Sequence, residues 1–346
     1  MRYYVLLILM SLLVSFAMAQ DMENVQLVSL EEQQRIEVYM AGELFTVYRY
    51  DKDLEKAILY PVLAPGGLVL SRGYPLETRA KERIDHPHHV GLWFNFGDVN
   101  GMDFWNNSKS VPNHRKEGYG RIVHREIRNA RSGKKGVLEV AMDWMAPDNK
   151  EAQTLLSEQA TYIFQLREGR YILDRHTRLT AVADEVVLTD NKEGMLAIRV
   201  DRAFEHPSDS PVLLSDEEGR PATQKIVDTE GVSGWYLNSE GDEGPEAWGK
   251  NARWVSLSGV KNNQSCTMVL MDHPGNLNYP ACWHARGYGL FSVNNLGRNV
   301  YNRKLERFQL VLKKGESISF RHRFVAANSK LSKQQIEEIF QDFLTE

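Results

Sequence analysis

The sequence predicts an all-β protein, a large double-sheet β-sandwich that ends in one α-helix. Short segments alternate apolar and polar residues with a period of two, as strands with one buried face do. Clusters of Gly, Pro, Asn and Asp separate these segments at fairly regular intervals. Only residues 332–344 show the periodicity of a helix. Together these features favour a single sandwich domain over residues 20–346.

The predicted strands follow one another through most of the chain. The first half predicts a hairpin over 25–50, strands at 60–63 and 69–70, and further strands at 90–94, 121–128 and 138–144. Residues 106–118 are polar and predict a loop. The second half predicts a long hairpin over 160–179, strands at 186–190, 195–200, 254–257 and 266–271, and a closing hairpin over 308–324. Residues 205–250 are rich in Gly, Pro, Ser, Asp and Glu and predict a long excursion of loops.

The C-terminal helix has its own start signal. Ser332 and Gln335 have the spacing of a capping box. The apolar residues that follow recur at i, i+3, i+4, i+7 and i+8: Ile336, Ile339, Phe340, Phe343 and Leu344. We therefore expect one face of this helix to pack on a sheet.

Residues 1–19 have the organisation of a signal peptide. Arg2 gives a positive start, residues 5–17 are apolar, and Ala17-Met18-Ala19 has the small residues of a cleavage site. The apolar run is short for a membrane span, and no second run of 18 apolar residues follows. The sequence predicts an exported protein, periplasmic or secreted, without a membrane span.

Composition and missing motifs exclude several classes of function. The chain has 346 residues, of which 42% are hydrophobic and 25% charged, and its net charge is −4. No basic block suits nucleic acid. No GxSxG, P-loop or GxGxxG motif is present, which disfavours serine hydrolase, nucleotide and dinucleotide chemistry. Oligomeric state is left open. Cys266 and Cys282, the two cysteines, either pair in an oxidising compartment or stay buried as thiols.

Residues 85–105 hold an unusual concentration of polar and aromatic side chains. Three histidines, His86, His88 and His89, fall within four positions. Pro87 favours an extended His86, which would place His86 and His88 on one face and His89 on the other. Burying so many imidazoles and carboxylates requires a partner for each. The stretch therefore indicates a functional site.

Two further polar stretches, 190–202 and 272–298, also lie beside predicted strands. Loops at the ends of sandwich strands cluster at its rim and often carry function. We expect all three stretches to meet in one groove.

The residue types in these stretches suit general acid–base chemistry on a sugar. Four residues are predicted to act as acids or bases: His88, His89, Glu193 and His284. Eight are predicted to contact the substrate: His86, Asp103, Trp105, Arg199, His273, Asn276, Trp283 and Arg286. Arginine forks hold carboxylates or sulfates, and tryptophans stack on sugar rings. The alternatives are surface arginines, a solvated turn glutamate and core tryptophans.

A divalent metal is a separate hypothesis. His86 and His88 on one face would supply two ligands, and His284 or a carboxylate the third. HxH alone is a weak signal, and no HExxH or paired CxxC is present. No cofactor is assigned.

The same stretches resemble a bacterial family of unknown function that often carries the label methane oxygenase PmoA. The resemblance rests on residues 85–93, 98–105, 192–200, 272–276 and 283–289. The family pattern usually has an aspartate after Glu193, whereas here Gly194 follows directly. Methane oxidation does not fit, because such a subunit spans the membrane several times. The resemblance implies a galactose-mutarotase-like β-supersandwich that acts on sugars, and the aldose-epimerase motifs are absent.

The leading hypothesis is an exported carbohydrate-active enzyme for oligosaccharides or uronic-acid sugars. Histidine and arginine suit proton abstraction followed by elimination. Glycosidic bond cleavage would instead use a carboxylate pair such as Asp103 and Glu193. The alternatives are a non-catalytic periplasmic sugar-binding protein and a metal-dependent enzyme that uses the histidine cluster.

Overall fold

A computed structural model describes residues 25–147 and 153–346, so the predicted signal peptide, 1–19, lies outside the described residues. The strands of the first half are β1 (Val25–Leu30), β2 (Arg35–Met40), β3 (Glu43–Arg49), β4 (Ile58–Val62), β5 (Leu92–Phe96), β6 (Arg121–Arg131), β7 (Lys135–Met145), β8 (Thr154–Arg167) and β9 (Arg170–Ala181). Those of the second half are β10 (Glu185–Thr189), β11 (Gly194–Arg199), β12 (Trp235–Asn238), β13 (Trp254–Lys261), β14 (Gln264–Asp272), β15 (Cys282–Trp283), β16 (Leu290–Asn294), β17 (Gln309–Lys313) and β18 (Ser317–Ala327). One α-helix, α1 (Lys333–Thr345), closes the chain.

The strands form two large antiparallel sheets. The first sheet has the order β1-β2-β3-β4-β5-β11-β16-β15, and the second has the order β12-β13-β14-β18-β9-β8-β7-β6. A third, two-stranded sheet joins β10 to β17. One large apolar core includes side chains from both eight-stranded sheets. The prediction of an all-β sandwich with one C-terminal helix is confirmed.

Alternation in the sequence produces this core. Ile36, Val38 and Met40 of β2 are buried and their neighbours are partly exposed, as the period of two requires. The predicted long hairpin is β8 and β9, which pair from Leu156↔Ala181 to Arg167↔Arg170. Its turn residues, Glu168 and Gly169, both have positive φ, which suits a tight hairpin connection.

The centre of the first sheet is buried on both faces. On β5, Leu92, Phe94 and Phe96 point into the main core. Trp93 points to the opposite, outer face and joins a separate apolar cluster there. Ala197 of β11 pairs with Trp93 and belongs to the same outer cluster. The loops that cover this outer face carry the candidate site.

One local prediction is wrong. Residues 308–324 do not form a hairpin, because β17 pairs with β10 while β18 pairs with β9 and β14. The predicted loop at 106–118 contains a 3-10 turn at Asn113–Gly118. Of the two alternatives for Cys266 and Cys282, the structure has the second, because both are buried free thiols. None of the helices in the described part of the chain has the length and hydropathy of a membrane span.

Helix α1 packs as its sequence predicts, except that Leu344 of the predicted stripe is exposed. Ser332 caps the helix, and the reciprocal bond from its backbone to Gln335 completes a capping box. The buried residues of the helix are Ile336, Ile339, Phe340 and Phe343. They form an apolar cluster with residues of β13, β14 and β18. Helix α1 therefore covers the outer face of the second sheet.

Replacing Ser332 by alanine removes the oxygen that accepts a hydrogen bond from the Gln335 amide. We expect this change to lower the free energy of unfolding by about 1 kcal/mol, measured by urea denaturation. Ser332→Gly is the matched control and should cost only a few tenths of a kcal/mol, because glycine leaves the amide open to water. Equal losses in both variants would contradict the capping role.

Candidate functional site

The candidate site lies on the outer face of the first sheet, above β4, β5, β11 and β16. An apolar cluster forms its base. The buried members are Ile58, Tyr60, Val90, Trp93, Trp105, Ala197 and Leu290. Polar loop residues lie around and above this cluster, so the sheet gives them a rigid support.

The three histidines sit on a tight turn. His86 has φ +44°, and the His89 amide donates to the His86 carbonyl at 3.0 Å. This conformation contradicts the extended segment predicted from Pro87. The His86 ring stacks on the His89 ring with 4.9 Å between ring centres. The His88 ring meets the His89 ring edge-on with 4.3 Å between ring centres. The turn therefore brings all three imidazoles into one cluster.

The buried guanidinium of Arg72 holds this turn from below. It donates to the carbonyls of Arg83, Asp85, His86 and His89 at 2.8–3.1 Å. The Arg72 side chain is only 1% exposed. Four carbonyls of an irregular loop are thus satisfied by one side chain instead of a strand partner, as buried carbonyls require.

Asp85 balances the buried arginines. One carboxylate oxygen accepts from Arg72 at 2.9 Å and from Arg199 at 2.7 Å, and His86 Nδ1 lies 3.1 Å from it. Burial disfavours the charged carboxylate, but the close contact with His86 and the two guanidinium charges hold the pKa of Asp85 well below its usual range. Glu205 adds a second buried carboxylate, 2.9 Å from Arg83 and 3.9 Å from Arg199.

His89 is enclosed by the protein. Trp105 Nε1 donates to His89 Nε2 at 3.2 Å, and Arg199 Nη1 lies 3.2 Å from His89 Nδ1. Both neighbours are donors, and a protonated imidazole would face them with two more donors. Burial is the main cause that holds the pKa of His89 well below its ordinary value, and the charge on Arg199 adds to it. His89 is therefore a neutral supporting residue and does not reach a substrate, contrary to the sequence expectation.

A stack of rings leads from this interior to the surface. Tyr288 stacks on His86 at 5.0 Å, His86 on His89 at 4.9 Å, and His89 on Trp93 at 5.4 Å. Tyr288 and His86 are partly exposed. They present an aromatic surface to solvent.

Arg286 extends this surface. Its exposed guanidinium lies 5.6 Å from the Tyr288 ring centre and 5.5 Å from the Trp248 ring centre. An arginine supported by two aromatic rings keeps its N–H groups free for an acidic or polar ligand.

Glu193 and Asp103 approach each other across one amide. Asn106 Nδ2 donates to Glu193 Oε2 at 2.5 Å and to Asp103 Oδ2 at 2.8 Å. Glu193 also pairs with the exposed Lys192. Burial, together with the charge on Glu193, raises the pKa of Asp103, although hydrogen bonds from Asn106 oppose the rise. The sequence suggested these two carboxylates as a pair, and the fold brings them together.

The remaining two candidate histidines, His88 and His284, are also neutral. Burial and then the charge of Lys56 lower the pKa of His88 to about 2. Burial and then the charges of Lys192 and Arg286 lower the pKa of His284 to about 3. His284 is 4% exposed, and its Nδ1 has no hydrogen-bond partner among the described residues. Both rings can donate or accept a hydrogen bond, but neither supplies positive charge at neutral pH.

The predicted site residues thus fall into three groups. The first group lies partly exposed at the site: His86, His88, Asp103, Glu193 and Arg286. The second lies buried directly beneath or beside it: His89, Trp105, Arg199 and His284. The third lies elsewhere: His273, Asn276 and Trp283. For Trp105 and Arg199, burial rules out the direct substrate contact that the sequence suggested.

The third group corrects the expectation that all of 272–298 joins one groove. His273 packs against Phe343 of α1 at 5.2 Å. Asn276 is buried and donates to Asp272 and to the Arg321 carbonyl, at 2.7 Å each. Trp283 is 0% exposed, and its Nε1 donates to the Ala252 carbonyl. These three residues support the core and the helix.

A metal finds no set of ligands here. Among the described residues, no group of three or more His, Cys, Asp or Glu side chains is arranged to hold an ion. The His86 and His88 rings meet edge-on, with their centres 5.7 Å apart. The predicted metal ligation by His86 and His88 therefore has no geometric support.

Sequence reasoning missed several residues of the site: Arg72, Glu205, Asn106 and Tyr288. Tyr288 stands between two glycines in a stretch already singled out, so its position was a usable signal. Arg72 and Glu205 belong to segments with no motif, and only the fold brings them to the histidine turn.

A cavity of about 780 Å³ lies away from this site, beside Tyr50 and His124. A smaller cavity of about 360 Å³ adjoins it and is lined in part by His88 and Lys56. We place the site at the histidine turn, because charged groups and exposed aromatic rings converge there.

Comparisons with solved structures find similar folds at low identity. The chain is similar to the galactosidase domain of the alpha-galactosidase–sucrose kinase AgaSK, with 10% identity, 89% of this chain and 42% of that chain covered, and a TM-score of 0.44. It is similar to the alpha-galactosidase AgaA from Geobacillus stearothermophilus, with 11% identity, 88% and 41% covered, and a TM-score of 0.38. A galactose mutarotase-like protein from Clostridium acetobutylicum matches with 11% identity, 88% and 98% covered, and a TM-score of 0.35. The chain spans about two fifths of the length of the two galactosidase chains.

Sequence comparison gives a clearer result for the family. No curated protein sequence matches the chain. A family model does match, over residues 35–341, and that range includes the histidine turn, Glu193 and Arg286. This protein therefore belongs to the family of unknown function DUF6807.

Proposed function

We propose that this protein is a carbohydrate-active enzyme that works by general acid–base chemistry at the histidine turn. The observation that carries the proposal is the convergence of Glu193, Arg286 and the exposed Tyr288–His86 stack on one face. Sugars offer flat apolar ring faces and many hydroxyls, and this surface offers both complements. Export to the periplasm or the medium remains part of the proposal.

The aromatic stack and the arginine supply binding. Tyr288 stacks on His86 with an interplanar angle of 8°, which holds its partly exposed ring in place to contact a sugar ring. The Arg286 guanidinium beside this ring would hold a hydroxyl or a carboxylate of the same ligand. The neutral, buried His284 has no hydrogen-bond partner for its Nδ1 among the described residues.

Glu193 is the proposed proton-transfer residue. Its side chain is 17% exposed, and its partner Lys192 is 46% exposed, so a ligand from solvent can compete with Lys192 for Glu193. Asp103 accepts from the backbone amides of Trp105 and Asn106 at 2.9 Å, so we assign it to holding Asn106 and Glu193 in place. A carboxylate so held suits proton transfer to or from a glycosidic oxygen or a ring carbon.

Two reactions fit these residues. In elimination, a base removes the proton next to a carboxylate while Arg286 steadies the developing charge. In glycosidic cleavage, Glu193 and Asp103 would act as the two carboxyl groups, and the raised pKa of Asp103 would suit the acid. We favour elimination, because the bonds from Trp105 and Asn106 already occupy one Asp103 oxygen and the Asn106 amide occupies the other.

Replacing Glu193 by glutamine tests the acid–base assignment. Glu193→Gln keeps the shape and the contact with Asn106 but removes the transferable proton. We expect turnover of the responsive substrate to fall by about 10²-fold or more with little change in stability, because a positioned acid or base contributes that much. The measurement is mass spectrometry of products from neutral, uronic and sulfated oligosaccharides, with absorbance of unsaturated uronates read in parallel.

Glu306→Gln is the control, because Glu306 is an exposed glutamate outside the site. Loss of water or new absorbance indicates elimination, and gain of water indicates hydrolysis. If Glu193→Gln keeps full turnover, Glu193 is not the acid or base. If the wild type binds sugars but changes none of them, the protein is a sugar-binding protein instead.

The histidines give a pH prediction. Because the pKa of His88 is about 2 and that of His284 about 3, both imidazoles stay neutral in the free protein at pH 5–8. Two-dimensional NMR of the ring nitrogens should therefore show neutral signals for both across this range. Protonation of either ring near pH 6 would contradict the burial and charge that the site imposes. His88→Ala and His284→Ala variants identify the two sets of signals.

A further inference from the structure

Lys56 is a buried cation without a carboxylate partner. It lies just before β4, and its side chain is 3% exposed. Its Nζ donates to the His88 carbonyl at 2.9 Å and lies 5.4 Å from the Trp93 ring centre. Among the described residues no carboxylate lies within 4 Å of this nitrogen, although an ammonium has three protons to donate. An ammonium in such a position is costly unless a further acceptor reaches it.

The 360 Å³ cavity next to the histidine turn gives such an acceptor room. Both His88 and Lys56 line the cavity, and the Lys56 ammonium donates to the His88 carbonyl. One wall of the cavity is apolar and comprises Leu54, Pro75, Leu76, Pro87 and Val90. An apolar wall facing a few polar groups is typical of a small-molecule site.

Asn107 adds a second unsatisfied group to the same cavity. Its Nδ2 donates to the Gly120 carbonyl at 2.9 Å, which orients the amide. Its Oδ1 is buried and has no partner among the described residues. Asn107 itself is 3% exposed. A buried carbonyl oxygen of this kind requires a donor such as a hydroxyl.

The other charges at this cavity are already paired. Arg49 and Asp51 lie 3.0 Å apart, and Lys109 and Asp53 lie 3.2 Å apart. Glu55 pairs with Arg121 at 2.7 Å. Lys56 is therefore the cation of the cavity wall that has no ion-pair partner, and Asn107 Oδ1 is the hydrogen-bond acceptor that has no donor among the described residues.

We propose that the cavity beside His88 binds a sugar acid, with its carboxylate on Lys56 and a hydroxyl on Asn107. The ammonium and the amide oxygen together select a ligand with both an acidic group and hydroxyls, and the apolar wall receives one ring face. The inference rests on the proposed function, because it names the acidic sugar unit that would lie next to His88. The carboxylate would also offset the positive charge of Lys56 that keeps His88 neutral.

Binding should depend on pH through Lys56. Burial lowers the pKa of Lys56 to about 8, and the charges of Glu55 and Asp103 oppose the shift. The charged and titratable groups that face this nitrogen or line the cavity are His88, Glu55, Asp103, Arg49, Asp51, Asp53 and Lys109. The carboxylate requires the charged ammonium. Affinity is therefore full below pH 8 and falls by about tenfold per unit as the pH rises above it.

Isothermal titration of the purified protein with D-glucuronate, D-glucose and acetate tests the proposal. We expect D-glucuronate to bind at pH 7, D-glucose and acetate to bind at least about tenfold more weakly, and the affinity for D-glucuronate to fall between pH 8 and 9.5. Lys56→Met should weaken binding at least about tenfold and remove this pH dependence, because it deletes a charge-assisted hydrogen bond. Lys225→Met is the matched control, because Lys225 is an exposed lysine that does not line the cavity, and it should bind within twofold of wild type.

The wild-type measurements stand even if Lys56→Met fails to fold. Equal affinity for D-glucuronate and D-glucose, or an affinity that does not change between pH 7 and 9.5, would overturn the proposal. Because the readout is binding, failure of turnover elsewhere does not affect it. Conversely, turnover of a neutral sugar without any D-glucuronate binding would support the proposed enzymatic function and refute the proposed sugar-acid site.

Discussion

The buried guanidinium of Arg72 fixes the backbone of the histidine turn, and the arrangement of the site depends on that contact. Four carbonyls that no strand satisfies accept its protons. A guanidinium suits this task because its five donors are rigid, planar and permanently charged. Asp85 then neutralises part of the charge and ties Arg72 to Arg199 at the end of β11. The turn is thereby attached to the sheet.

This arrangement determines what the histidines can do. Arginines and Lys56 surround them at short range, and burial removes the water that would screen these charges. The imidazoles of His88 and His89 therefore stay neutral, and His89 becomes an internal support. The side chains that can contact a ligand are instead those of Glu193, Tyr288 and Arg286 around them. The sequence of this cluster resembles a metal or acid–base centre. In the fold, it is a framework of hydrogen-bonded and stacked side chains.

Lys56 and Asn107 are buried polar side chains of the neighbouring cavity whose hydrogen-bonding groups are not all used. The Lys56 ammonium has protons beyond the one it gives to the His88 carbonyl, and the Asn107 Oδ1 has no partner among the described residues. A folded chain tolerates few such groups, since each costs free energy when it lacks a partner. Their position at one cavity is therefore informative about a ligand in a way that their residue types alone are not.

The sequence by itself determined the class of fold, most strand positions, helix α1 with its Ser332 cap, and the stretch that holds the site. Period-two alternation, turn residues and capping spacing are local signals, so local reading is sufficient for them. Tertiary structure alone decided that β17 pairs with β10, that His86 takes positive φ, and that Arg72 and Glu205 meet the turn. It also separated His273, Asn276 and Trp283 from the site. These outcomes depend on contacts between residues distant along the chain, whose strength comes from burial and pairing that no local pattern encodes.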